Sequence, residues 1–232
     1  MTELANPDPL AGGTTSRRGL LSRERILTTA LALVDEHGLD ALSMRRLAQE
    51  LGAEPMSLYH HVPSKRALVD GLVGLVLAEV QPLDDLSGTW QDQIASACRR
   101  LRAVLLAHPR MAAAVATRPI LAAASVALTE SALTLLVAGG LSLREANEVL
   151  WLCNAFVMGT TATRAEWTAD EPGATALMHM WADDPSIDMA RYPLALATYG
   201  ASPINSEEGR ARFELGLEVL LAGIEAKYPH FS

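Results

Sequence analysis

Polar and cationic side chains cluster in a short segment near the N-terminus, between Ser43 and Lys65. Leu58 and Val62, spaced i and i+4, can pack inward, which leaves their neighbours facing outward. Hydroxyl, phenol, imidazole and cationic groups donate hydrogen bonds to phosphate oxygens and base edges. The residues of this kind are Arg45, Ser57, Tyr59, His60, His61 and Lys65. The pattern predicts a surface that contacts double-stranded DNA in the major groove.

Two other interpretations of these side chains remain open. Taken alone, His60 and His61 are more often exposed residues without a function. A metal site built on this histidine pair would need further ligands at useful spacing, and the sequence offers none. We therefore predict no metal and no cofactor.

Two short helices must position these side chains. Ser43 can cap a helix that runs through Leu51, and Gly52 is placed to end it. Pro55 suits the first turn of a following helix, which runs to about His61. Residues 43–62 therefore predict a helix-turn-helix, although many helical hairpins share this shape.

One helix before and one after this motif complete an N-terminal unit. Apolar spacing predicts a first helix between Ser22 and Gly38, and a fourth from Lys65 to about Val80. A linker at 81–89, with Pro82 and Gly88, closes the unit. We expect a disordered tail at 1–21, a DNA-binding domain at 22–80 and a C-terminal ligand-binding and dimerisation domain at 90–232.

The rest of the chain repeats helical spacing and lacks strand-like alternation. Helices are predicted at 90–108, 109–116, 119–138, 142–165 and 206–228, with a weaker stretch at 187–199 and a long loop at 167–185. Half of the residues are hydrophobic, but only 5% are aromatic, which favours helices over strands. The predicted fold class is all-α: a three-helix helix-turn-helix domain joined to a larger helical domain.

The net charge of −8 is unevenly distributed. Between Arg17 and Arg66 eight basic residues outnumber six acidic ones, whereas the remainder holds eleven basic and twenty-one acidic residues. The positive charge is thus confined to the segment with the predicted DNA surface. The acidic remainder is not expected to face DNA.

Several features place the chain in the cytoplasm. Its longest uncharged run, about fifteen residues at 149–163, is shorter than the ~20 apolar residues of a membrane span. Residues 1–21 contain no apolar segment typical of a signal peptide. Cys98 and Cys153 lie in apolar helical segments, where buried free thiols are commoner than disulfides or reactive sites. We expect a reducing compartment and no membrane partner.

The segment RILTTALALVDEHGLDALSMRRLAQELGAEPMSLYHHVPSKRALVDGL closely resembles the N-terminal domain of the TetR family of transcriptional repressors. Its most specific parts are LAQELG, SLYHHV and SKRAL. A weaker, gapped resemblance to the tetracycline repressors continues in Trp90-Gln91-Asp92, Thr117-Arg118-Pro119 and 140–143. The resemblance implies a homodimeric repressor that a small-molecule inducer releases from a palindromic operator.

Carried over by position, the resemblance assigns Arg45 to base contacts, and Ser57, Tyr59, His61 and Lys65 to bases or phosphates. His60 departs from it, because tetracycline repressors have tryptophan there. Pro55 and Met56 also replace a Gln-Pro pair that helps to read the operator. A different operator sequence is therefore expected.

The resemblance also implies that the helix from Ser142 and the last helix form the dimer interface. The last helix carries two apolar stripes, so one can face its own core and the other a partner. Burial of both stripes within a monomer is the alternative. Candidate interface residues are Val149, Phe156, Leu217, Val219, Leu220 and Ile224.

Methionine and tryptophan suit adaptable apolar pockets that have few polar anchors. The candidate ligand-binding residues are His108, Thr117, Trp151, Asn154, Met158, Trp167, Met178 and Trp181. Alignment with the tetracycline repressors places Ala114, Gln81 and Ala97 where that group holds magnesium-tetracycline with two histidines and an asparagine. We therefore expect another, more apolar inducer.

Two other function classes compete with this interpretation. An enzyme is poorly supported, because the chain has no glycine-rich phosphate loop, nucleophile elbow or clustered metal ligands. A helical ligand-binding or scaffold protein could have kept the fold and lost DNA binding. The presence of Arg45, Tyr59 and Lys65 argues against that alternative.

Overall fold

The computed structural model describes residues 21–118, 123–165, 181, 183–184, 186–194, 197 and 207–231. Over these residues the chain forms helices and no strand, which confirms the all-α class. The predicted tail, except Leu21, and most of the predicted loop at 167–185 lie outside this part of the chain.

The N-terminal unit consists of four helices: α1 (Arg23–His37), α2 (Met44–Leu51), α3 (Pro55–Tyr59) and α4 (Lys65–Ala78). The hydroxyls of Ser22, Ser43 and Ser64 cap α1, α2 and α4 by accepting a backbone N–H three residues later. Serine serves this position well because it satisfies a donor that the helix leaves unpaired.

Gly52 ends α2 in the left-handed region, at φ 62° and ψ 37°. A side chain is disfavoured there, and glycine adopts the conformation freely. The following residue, Ala53, donates its N–H back to the carbonyl of Ala48 at 2.9 Å. This turn redirects the chain into α3, as the glycine in the sequence predicted.

Helix α3 is shorter than predicted, because it ends at Tyr59 rather than near His61. Pro63 disfavours helical geometry at Val62, immediately before it. The backbone still turns tightly, since Val62 donates its N–H to the carbonyl of Leu58 at 2.9 Å. His60 and His61 therefore lie in the connection between α3 and α4.

The C-terminal unit contains α5 (Trp90–Ala107), α6 (Ala112–Thr117), α7 (Ala123–Ala138), α8 (Leu143–Ala165) and α9 (Glu207–Lys227). A 3-10 turn, Pro109–Met111, joins α5 to α6, and another, Met189–Arg191, lies within the weakly helical stretch of the sequence. No helix in the described part of the chain combines the length and apolar character needed to span a membrane.

One continuous hydrophobic core joins the two units. Helix α4 packs against α1 on one side and against α5, α6 and α7 on another. Helix α8 packs against α5, α6, α7 and α9. At the C-terminus, Phe231 stacks on Trp90 with ring centroids 4.3 Å apart. Movement in the C-terminal unit can therefore reach the helix-turn-helix through α4.

Candidate DNA interface and ligand cavity

The helix-turn-helix has a polar outer surface and an apolar inner side that is buried. Leu58 and Val62 are buried, together with Leu47 of α2, and this fixes which side of α3 faces outward. Met56 is 72% exposed and Tyr59 is 42% exposed. The inward packing predicted from the i, i+4 spacing thus orients the surface of α3.

The six candidate DNA-binding residues all belong to this surface or its edges. Arg45, Tyr59, His60, His61 and Lys65 are exposed, and Ser57 is half-buried. Within the described residues, neither Arg45 nor Lys65 forms an ion pair, so both cations are available for phosphates or bases. The hydroxyl of Ser57 donates to the Glu54 carbonyl, which leaves its oxygen able to accept a hydrogen bond.

A cavity of about 300 Å³ lies between α4, α5, α6, α7 and α8. Leu77 and Val80 form its wall at the end of α4, and Val115 and Ala116 form its wall on α6. The remaining apolar lining comes from α5, α7 and α8 and includes Ile94, Leu101, Leu128, Leu136, Leu150 and Val157. Such a cavity fits a compact, largely apolar molecule.

Four polar side chains interrupt the apolar wall: Arg118, Ser125, Thr129 and Asn154. Arg118 donates from Nη1 to Asp70 of α4 at 2.6 Å, and Thr129 donates its hydroxyl to the Ser125 carbonyl at 3.0 Å. The Ser125 hydroxyl is buried and has no hydrogen-bond partner among the described residues. An unpaired buried hydroxyl is costly, so Ser125 is a natural anchor for a polar group on a ligand.

Two free thiols, Cys98 on α5 and Cys153 on α8, also line the cavity. Their side chains lie close enough to interact. This contact lowers the pKa of Cys153, whereas the contact and burial together raise the pKa of Cys98. Of the two thiols, Cys153 is therefore the one that ionises more readily.

Of the predicted ligand-binding residues that the structure describes, two line this cavity: Asn154 and Met158. Trp151 is 67% exposed on α8, and Thr117 is exposed with its hydroxyl donating to the Ala113 carbonyl. Trp181 is half-buried but does not line the cavity. Trp167 and Met178 lie outside the described residues. Residue type alone did not show which helix face turns inward.

The structure places His108 outside the lining of this cavity and in contact with the N-terminal unit. Its Nδ1 lies 2.9 Å from Asp35 of α1, and its Nε2 lies 3.2 Å from Glu79 after α4. Together with the Arg118–Asp70 pair, these contacts cross from the C-terminal unit to the N-terminal one. His108 thus joins two helices of the N-terminal unit to the end of α5.

Sequence reasoning missed Arg118, Ser125 and Thr129 as cavity residues. One pattern could have indicated the last two: they are spaced i and i+4 on the otherwise apolar helix α7, so they share one face. Arg118 gave no such indication, because its place in the wall depends on how α6 meets α4 and α7.

An apolar surface remains uncovered on α8 and α9, formed by Trp151, Leu152, Leu215 and Val219. We call it the α8–α9 face. A groove lined by Trp151, Leu152, Val219, Leu220 and Gly223 runs along it. Exposed apolar patches of this kind mark interaction surfaces.

Of the predicted interface residues, Val219 and the half-buried Leu220 belong to the α8–α9 face. Val149, Leu217 and Ile224 are buried within the protomer, and Ile224 also lines the groove along this face. Phe156 is half-buried and stacks on Phe213, with centroids 5.2 Å apart. The stripe with Leu217 and Ile224 is therefore the core stripe of α9.

Both units of the chain resemble proteins of the same family. Residues 26–72 match the family model described as bacterial regulatory proteins, tetR family, and residues 81–228 match the one described as tetracyclin repressor-like, C-terminal domain. An HTH-type transcriptional regulator of Saccharopolyspora erythraea is 32% identical, and the alignment covers 89% of this chain and 86% of that protein.

Two further proteins resemble the chain over most of its length. The tetracycline repressor protein class D of Escherichia coli is 30% identical, with 89% of this chain and 90% of that protein covered. The Streptomyces coelicolor TetR family protein ActR, in a crystal structure with actinorhodin, is 33% identical with a TM-score of 0.73, covering 90% of this chain and 99% of that one. The chain therefore belongs to the TetR family of bacterial transcriptional regulators.

Proposed function

We propose that the chain is a repressor that binds a palindromic operator as a homodimer and leaves it when an apolar small molecule occupies the cavity. One observation carries this proposal: the helix that closes the cavity, α4, also belongs to the core of the helix-turn-helix unit. Ligand occupancy and DNA geometry therefore depend on the same element.

The contacts of α4 support a mechanical link between the cavity and α3. A Cβ atom at Gly71 would lie 2.7 Å from Leu27 of α1, so α1 and α4 are in close contact and cannot slide independently. A ligand that displaces Leu77 and Val80 would carry the whole N-terminal unit with α4. The Asp70–Arg118 pair provides a second connection, because Arg118 also lines the cavity.

The α8–α9 face supports the homodimer. A two-fold interface uses the same patch on both protomers, and this face offers exposed Trp151, Leu215 and Val219 side chains for such a contact. A dimer would present two α3 helices, one for each of two successive major grooves. On one side of DNA such grooves are roughly 34–36 Å apart. A palindromic operator follows from that symmetry.

The cavity supports a predominantly apolar ligand with few polar groups, bound without a metal or cofactor. Among the described residues, no three His, Cys, Asp or Glu side chains are grouped to hold a metal ion. Ser125 and Asn154 would hydrogen-bond the ligand's polar atoms. The protein would act in the cytoplasm, where it meets DNA, and would regulate transcription rather than catalyse a reaction, as the names of its relatives suggest.

The direct test is a mobility shift and footprint with DNA from immediately upstream of the protein's own gene. We expect a protected region with two symmetric halves, one for each protomer. Protection of a single asymmetric half-site would contradict the dimeric arrangement. Absence of specific binding would instead favour a ligand-binding protein that has lost DNA recognition.

A further inference from the structure

Cys98 and Cys153 pack in the hydrophobic core, and their thiols are also nucleophilic groups. They face each other across the packed helices α5 and α8 and form no disulfide. Both line the ligand cavity. A molecule that enters the cavity therefore comes into contact with both thiols.

The cavity is the main route by which a reagent can reach these thiols. Cys98 is 5% and Cys153 is 8% exposed, so a reagent in bulk water has little access to either sulfur. The surrounding wall is made of apolar side chains such as Ile94, Leu101 and Val157. An uncharged molecule can enter such a space, whereas a charged one loses its hydration.

We propose that Cys98 and Cys153 form a covalent capture site in the cavity for uncharged α,β-unsaturated carbonyl compounds. Cys153 is the nucleophile, and Cys98 is the hydrogen-bond donor that positions it. This inference rests on the proposed function in one respect, since the captured compound then acts as the ligand that releases DNA.

The addition balances without any further reactant. The Sγ atom of Cys153 forms a bond to the β-carbon of the unsaturated carbonyl compound. The π electrons of the carbon–carbon double bond move toward the α-carbon, which takes up the proton that Cys153 releases when its S–H bond breaks. No group leaves, and no external oxidant or reductant is consumed. The product is a thioether that holds the ligand in the cavity.

The pair suits this reaction better than a lone buried thiol would. A thiolate is the nucleophilic form of cysteine, and burial alone disfavours it. The Cys98 thiol can offer its hydrogen to Cys153 and so stabilise the developing thiolate. Cys98 thus acts through Cys153 and is a positioning residue.

Mass spectrometry of the intact native chain tests the capture site with N-ethylmaleimide, an uncharged probe of this class. We expect uptake of one equivalent, mapped to Cys153, and about tenfold slower reaction with a maleimide that carries a charged sulfonate group, because that reagent loses its hydration on entering the apolar cavity. Uptake at neither cysteine in the native chain would overturn the proposal, and so would equally fast reaction with the charged reagent.

Substitutions separate the two roles. Cys153→Ala should abolish the uptake, and Cys153→Ser provides a second variant in case the alanine variant folds poorly. Cys98→Ala should slow the reaction at Cys153 about tenfold, and Cys98→Ser should restore it by returning a donor. An unchanged rate in Cys98→Ala would refute the positioning role. Circular dichroism of each variant checks that the helices remain intact.

The regulatory consequence is measured separately, by adding N-ethylmaleimide to a preformed complex with the upstream DNA. We expect release in the wild type and retention in Cys153→Ala. Adduct formation without release would overturn the effector role and leave the repressor proposal untouched. Failure of the unmodified chain to bind DNA would overturn the repressor proposal, while the mass measurement would still decide the capture chemistry.

Discussion

Arg45 and Lys65 are two exposed cations at opposite ends of the proposed DNA surface, and we expect different effects from their removal. Arg45→Ala should relax base preference and cost about 1–3 kcal/mol at the base that the arginine reads. Lys65→Ala should weaken all sequences alike and lower the salt slope of binding by about one. Binding isotherms on matched operator variants at several salt concentrations measure both effects. Equal loss across base variants in Arg45→Ala would contradict its base contact.

Ser125 carries a buried hydroxyl that has no hydrogen-bond partner among the described residues. Ser125→Ala removes an unpaired polar group, so the free energy of unfolding should rise by about 1 kcal/mol. Ser131→Ala on the same helix is the control and should lower it, because Ser131 accepts a hydrogen bond from Gln81. Urea denaturation measures both changes. A lower midpoint for Ser125→Ala would mean that the hydroxyl is satisfied in solution.

Magnesium-tetracycline should not release the protein from its operator, because three residues lack the groups that would hold this ligand. Alanines at 97 and 114 offer no ligand to a divalent ion, and the Gln81 amide is directed to Ser131. Hard magnesium needs well-placed oxygen or imidazole donors to give up water. A titration into a preformed complex decides the question. Release at micromolar ligand that a chelator abolishes would refute this prediction.

At the scale of elements, α9 has one apolar stripe buried in the protomer and one that is exposed, and glutamate substitutions distinguish them. Val219→Glu places a charge on the exposed α8–α9 face and should dissociate the dimer while the protomer stays helical, because the charge appears twice in a symmetric interface. Leu217→Glu places a charge in the protomer core and should destabilise folding by at least about 3 kcal/mol.

Size-exclusion chromatography and circular dichroism together measure these outcomes. Glu225→Gln serves as the control, since Glu225 is exposed on a different side of α9 and its substitution should leave elution and helicity unchanged. Elution of Val219→Glu as a wild-type dimer would rule out the α8–α9 face as the interface.

For the whole molecule, the continuous core predicts that the two units unfold together. Leu72, Val73 and Val76 of α4 lie in the same core as residues of α5 and α7, so the N-terminal unit cannot separate without exposing apolar surface. All four tryptophans follow residue 89, and their fluorescence therefore reports on the C-terminal unit alone. We expect this fluorescence and the far-ultraviolet circular dichroism to give coincident urea transitions. Separate midpoints would show that the units are independent.

The helix-turn-helix could be predicted from the sequence because it depends on local interactions. The Ser22, Ser43 and Ser64 caps act within three residues, Gly52 sets its own backbone conformation, and the spacing of Leu58 and Val62 orients α3. Each of these effects arises between neighbours in the chain. Fold class and the candidate DNA surface follow from them.

The cavity and the α8–α9 face were decided by tertiary packing. Both stripes of α9 are apolar, so periodicity could not distinguish Leu217, in the core, from Val219, on the surface. Helix α8 likewise turns Asn154 toward the cavity and leaves Trp151 outside, and the contact between Cys98 and Cys153 exists only where α5 meets α8. Which residues line the cavity and which stay exposed depends on which helices pack together. These contacts join residues that are far apart in the chain, so a local sequence pattern does not show them.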